Sequence, residues 1–80
     1  MNKNELWTWI KPYFKDADEQ ILGIAWSSFG YEKNGDFVEL DYKAKGIEFK
    51  ELVEMLKILD KEGVIDLVDT KNMGFEIKKT

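Results

Sequence analysis

The sequence predicts a small α+β protein, an αββαββ chain folded in two layers around an antiparallel sheet, with residues 1–80 forming a single domain. Three observations predict it. An Asn34-Gly35 dipeptide separates two runs rich in aromatic and aliphatic residues. An amphipathic helical pattern runs from Phe49 to Leu59. Two short apolar segments follow, VIDLVD and FEIKKT.

Taken in order, the first element is a helix over about residues 4–15. Asn4 is the expected N-cap, and Glu5 places an anionic side chain in the first turn, where the helix dipole favours it. Leu6, Ile10 and Tyr13 or Phe14 recur at helical spacing. Pro12 removes the amide that would bond Thr8, so the helix ends near Ile10 or bends there.

Asn34-Gly35 is the strongest short hairpin signal, because both central residues of a type I′ turn need positive φ. A two-residue loop pairs Lys33 with Asp36, Tyr31 with Val38, Phe29 with Leu40 and Ser27 with Tyr42. These last three pairs share a face, whereas Glu32, Gly30, Ser28, Glu39 and Asp41 occupy the other, with Phe37 as its apolar exception. Strands are therefore expected near 21–33 and 36–43. The first half of that first strand is apolar on both faces, which calls for cover on both sides or a change of face at a bulge, with Gly23 and Ser27-Ser28 as bulge candidates. Helix over 19–29 is the alternative, since Ile21, Leu22, Ala25, Trp26 and Phe29 also fit a helical period.

The second helix carries Phe49, Leu52, Val53, Leu56 and Leu59 on one stripe, widened by Met55 and Ile58, and Gly63 stops it. VIDLVD is a strand, DTKNMG a loop, and FEIKKT a strand that turns Phe75 and Ile77 inward. A four-stranded sheet with both helices on one face accommodates these elements.

The composition narrows the chemistry. Hydrophobic residues at 44%, with three Trp, three Tyr and five Phe, are enough for a folded core, though eighty residues leave it thin and open to help from self-association. The net charge is −4, all basic residues are Lys, and there is no His or Cys. No disulfide, thiol nucleophile, Cys/His zinc site or imidazole base is available. No cofactor or metal is expected. The acidic pairs Asp16/Asp18 and Glu39/Asp41 read as solvated charge, and Gly23, Gly30 and Gly35 do not have a phosphate-loop spacing. The expectation is a non-enzymatic protein without a membrane span, in the cytoplasm. Its Lys-only basic set suggests an AT-rich coding sequence, which with the small size fits a regulator or inhibitor carried by a mobile element or phage.

LVEMLKILDKEGVIDLV, with Leu56, Leu59, Lys61-Glu62, Gly63, Val64 and Ile65, resembles the last helix and wing of winged-helix domains. The wing would be Thr70 to Gly74, followed by Phe75 to Lys79. The resemblance spans about thirty residues, 49–79. It implies a winged-helix-like fold as the alternative architecture and a DNA-binding transcriptional regulator, contacting nucleic acid through Lys71, Lys78 and Lys79. Against that, the solvent face of the helix carries Glu48, Glu51, Glu54, Asp60 and Glu62 beside Lys50, Lys57 and Lys61, and no Arg is present. The three lysines also fit a charged edge that discourages strand pairing.

WTWIKPYF is the other notable stretch. Trp7 and Trp9 are two apart, nearly opposite on a helix, so both are not expected to face one core. Trp7, Trp9 and Tyr13 are thus the candidate partner-binding residues, since Trp and Tyr are enriched at interface hot spots. The leading expectation is a small protein-interaction or regulatory domain that binds a protein partner, or itself as a homodimer, through this end. Its acidic surface suits a basic partner.

Overall fold

In the computed structural model, which describes residues 1–72 and 74–80, the chain forms α1 (Lys3–Ile10), α2 (Tyr13–Asp16), β1 (Ile21–Ala25), β2 (Ser28–Lys33), β3 (Asp36–Glu39), α3 (Phe49–Lys61), β4 (Ile65–Asp69) and β5 (Gly74–Lys79). Single 3-10 turns lie at Asp18–Gln20 and Lys43–Lys45. The five strands make one antiparallel sheet in the order β3-β2-β1-β5-β4, so β1 is its middle strand. The α+β class and the antiparallel sheet agree with the sequence reading, and the sheet has one strand more than expected.

The extra strand comes from a turn. Trp26 and Ser27 take φ of 52° and 66°, and the chain reverses there to pair Ala25 with Ser28. The segment expected as one strand over 21–33 is therefore a hairpin, not a bulged strand. The Tyr42 hydroxyl holds the turn by donating to the Ser27 carbonyl at 2.8 Å. One turn later, the Asn34-Gly35 loop sets the expected register, with Lys33 opposite Asp36 and Tyr31 opposite Val38. The third strand ends at Glu39, although the Leu40 amide still donates to the Phe29 carbonyl at 2.7 Å. With residues 21–25 and 28–33 in strands, the helix that a winged-helix arrangement sets immediately before its last one is missing: between β3 and α3 there is only the 3-10 turn at 43–45.

The cap of the first helix is Asn2, two residues before the expected Asn4. Asn2 accepts from the Glu5 amide at 2.9 Å, and Glu5 accepts from the Asn2 amide at 3.2 Å. This reciprocal pair needs Glu three residues after the cap, which Asn2 provides and Asn4 does not. Pro12 separates α1 from the single turn α2, as its missing amide requires. At the other end of the chain, α3 stops as Gly63 predicts. The Gly63 amide donates to Asp60 and the Val64 amide to Leu59, both at 3.0 Å. The Leu67 amide on β4 donates to Asp60 at 3.0 Å, covering part of that strand's outer edge.

Both longer helices lie on one face of the sheet. Leu6, Ile10 and Phe14 meet Leu52, Leu56 and Leu59 over Leu22, Ile24, Phe29, Ile65 and Ile77, all buried. The loop expected at 69–74 includes Met73, which lies outside the described residues.

Asp16 and Asp18 pin the β2–β3 hairpin to the end of α2. Asp16 accepts from the Tyr31 hydroxyl at 2.7 Å and pairs with Lys33, while Asp18 accepts the Asn34 and Gly35 amides at 3.2 and 3.3 Å. Lys33 first, then Tyr31, hold the Asp16 carboxyl below its ordinary pKa, so this contribution to stability is lost on acidification through that lowered value. Tyr31 moves the other way. Burial, then the bond to Asp16, pushes its pKa from 10.0 up to about 12. Its contribution is whole below the ordinary tyrosine pKa and is lost as pH rises toward the folded value. Urea unfolding across pH 10 to 12 should show falling stability, and Tyr31→Phe should remove part of the fall. Parallel curves for the two proteins would assign the loss to another group.

Candidate functional site

The three aromatic residues singled out near the N-terminus line the margins of the core. Leu6 and Ile10 point α1 into the core. At 100° per residue, Trp7 and Trp9 sit roughly 80° to either side of that direction. They do take nearly opposite sides of the helix, yet the core lies between them, so they flank it and both are half-buried. Trp7 lies 5.9 Å from Phe14, Trp9 meets Phe29 edge-on at 6.0 Å, and Tyr13 lies 5.6 Å from Tyr31. Lys45 sits 5.2 Å from the Trp9 ring, a cation–π contact. What remains exposed of these rings is their outer margins.

The three lysines of the other candidate set are all exposed but not gathered. Lys71, with φ of 62°, is in the β4–β5 loop. Lys78 and Lys79 are near the far end of β5, roughly 14 Å away along an extended strand, and successive strand residues point to opposite faces. Lys78 stands opposite Asp66, and Lys79 opposite Ile65.

The less expected surface is the sheet face away from the helices. No helix or strand covers it among the described residues. Its middle row, set by the strand register, reads Glu39, Gly30, Gly23, Glu76, Val68 from edge to edge. A neighbouring row places Phe37 beside Glu32, and Ile21 beside Lys78 and Asp66. A shallow groove of about 360 Å³ runs here between Asp18, Glu19, Ile21, Gly23, Glu32, Phe37 and Glu76. A second, of about 190 Å³, continues past Gly23 and Phe37 to Ala25, Ser28 and Gly74. Phe37 and Gly23 therefore border both.

Three residues here break local preference. Phe37 is 54% exposed, with its ring over Gly30; a Cβ on Gly30 would stand 2.7 Å from the Phe37 ring and 2.1 Å from the Val38 carbonyl oxygen. Gly30 is thus required by the strand approach. Gly23 is not: a Cβ there would find its nearest neighbour at 3.9 Å, an ordinary contact. A glycine inside a central strand forgoes about 0.5–1 kcal/mol relative to alanine, and nothing in the packing asks for it. Trp26 is 73% exposed on a turn that holds it at positive φ, so it contributes little burial at a position where Gly or Asn costs less.

Sequence reasoning noted Phe37 as the lone apolar residue on a polar face and Gly23 as a bulge candidate. It placed Trp26 inside a strand. The signal was therefore present for Phe37, but the surface joins β1 to β5, a pairing that no local pattern announces. Among the described residues, no group of three or more Asp or Glu is placed to hold a metal ion, and no helix is long and apolar enough to cross a membrane. Comparisons of the chain with protein-family models, curated proteins and solved structures find no match.

Proposed function

We propose that the protein is a non-enzymatic interaction domain that binds a protein partner through the uncovered sheet face and the adjoining Trp26 turn. The observation that carries this is Trp26, a large aromatic side chain left 73% exposed at positive φ. Proteins retain locally unfavourable features mainly where function uses them, and exposed Trp is a favoured anchor at interfaces. The half-buried Trp7, Trp9 and Tyr13 serve chiefly to lay α1 and α2 on the sheet, and their exposed margins are a secondary contact surface in this reading.

Trp26→Asn combined with Ser27→Gly tests it. The new turn matches the type I′ preference, so the fold should gain about 1 kcal/mol in urea unfolding. Affinity capture from an extract of the native source should at the same time lose the partner that the wild-type protein retains. Equal retention by both proteins would overturn the assignment of Trp26, and so would a wild-type protein that captures nothing beyond bare resin.

A further inference from the structure

Building on the protein-binding reading, we infer that the uncovered sheet face takes a basic, extended segment of the partner, laid across Gly23 beside the Phe37 ring, with its Lys or Arg side chains reaching Glu32, Glu39 and Glu76. The charge around the face selects this occupant. Asp18 and Glu19 border the groove, Glu32, Glu39, Glu76 and Asp66 rise from the strands, and Lys78 is the single basic residue among them. A second copy applied face to face would set acids against acids, and a nucleic acid backbone would be repelled in the same way. A basic segment is complementary.

The relief of the face suits an extended backbone. Gly23 has no side chain and lies in the middle strand, so a chain crossing it approaches the sheet closely, alongside the Phe37 ring that covers the neighbouring Gly30. Phe37 forms a ridge against which an apolar side chain of the segment can rest. Across five strands the middle row spans roughly 19 Å, the reach of about six extended residues. Its two glutamates, Glu39 and Glu76, flank the glycine pair on either side.

The test is an NMR titration of the isotope-labelled protein with a synthetic octapeptide alternating lysine and valine, and with its counterpart carrying glutamate in place of lysine. Only the basic peptide is expected to shift the amides of Ile21, Gly23, Gly30 and Glu76, with affinity falling as salt is raised. Gly23→Val provides the decisive variant. A β-branched residue suits a central strand, and its Cβ would meet nothing closer than 3.9 Å, so thermal stability should hold or rise, whereas the filled trough should weaken the peptide by about tenfold. Shifts confined to the exposed acids of α3, such as Glu51 and Glu54, would overturn the inference as general charge attraction. Unchanged affinity in Gly23→Val, or no shift on the sheet face, would overturn it too. If the peptide fails while capture still depends on Trp26, the basic segment falls and protein binding stands; if both fail, protein binding falls with it.

Discussion

Gly30→Ala is expected to lower stability by about 3 kcal/mol and to loosen β3 first. The new methyl group would stand 2.1 Å from the Val38 carbonyl oxygen, which is backbone and cannot rotate aside. The Phe37 ring, 2.7 Å away, could swing out, but only by giving up its contact with the glycine. Relief therefore requires β3 to move from β2, and β3 is an edge strand of four residues with β2 as its only strand partner among the described residues. A loss of this size is a large share of the roughly 5–15 kcal/mol that holds a domain together. Urea unfolding gives the magnitude, and amide exchange shows whether Val38 and Glu39 open before Leu22 and Ile24. A variant as stable as the wild type would mean that the strands have more room than this packing allows.

Phe29→Ala carries a comparable or larger cost, about 3–5 kcal/mol. Phe29 is fully buried in β2, opposite Ile24, and its ring receives Trp9 edge-on at 6.0 Å. It is one of the places where α1 is joined to the sheet. Truncation leaves a cavity under the helix and deprives Trp9 of its partner. Trp9→Ala alone should cost less, because Trp9 is only half-buried, and the two losses should not add. A double-mutant cycle should give a coupling of about 0.5–1.5 kcal/mol. Strict additivity would show that the ring pair contributes nothing beyond the area each ring buries.

The parts of the fold that were legible in the sequence are those with a local cause. Asn34-Gly35 announces its turn because these residue types tolerate positive φ, and the register from Lys33–Asp36 to Tyr31–Val38 follows from it. The α3 stripe and its Gly63 stop are legible for the same reason: period and cap lie within one stretch of chain. Trp26-Ser27 was illegible because neither residue favours the conformation it adopts, and surrounding pairing imposes the turn. The same contrast applies to the candidate site. Phe37 could be flagged as out of place, but its surroundings could not be. Gly23 and Glu76 meet only because β1 and β5 pair across most of the chain. The placement of Trp7 and Trp9 was a matter of angle. Two residues on a helix need not be on one side to share a core, provided the core lies between them.

That β1–β5 pairing also sets how the chain assembles. The hairpins β1–β2, β2–β3 and β4–β5 each close over a short stretch, events that take on the order of microseconds. The middle of the sheet instead joins Ile21–Ala25 to Gly74–Lys78, so two locally made pieces, a three-stranded meander and a helix with its hairpin, are united across a sequence separation of about fifty residues or more. The entropy of that closure falls due before the two helices share a core. This one seam is therefore the step expected to set the folding rate, and the meander of residues 21–39, whose core-facing side is bare until the seam closes, is where misassociation is expected first.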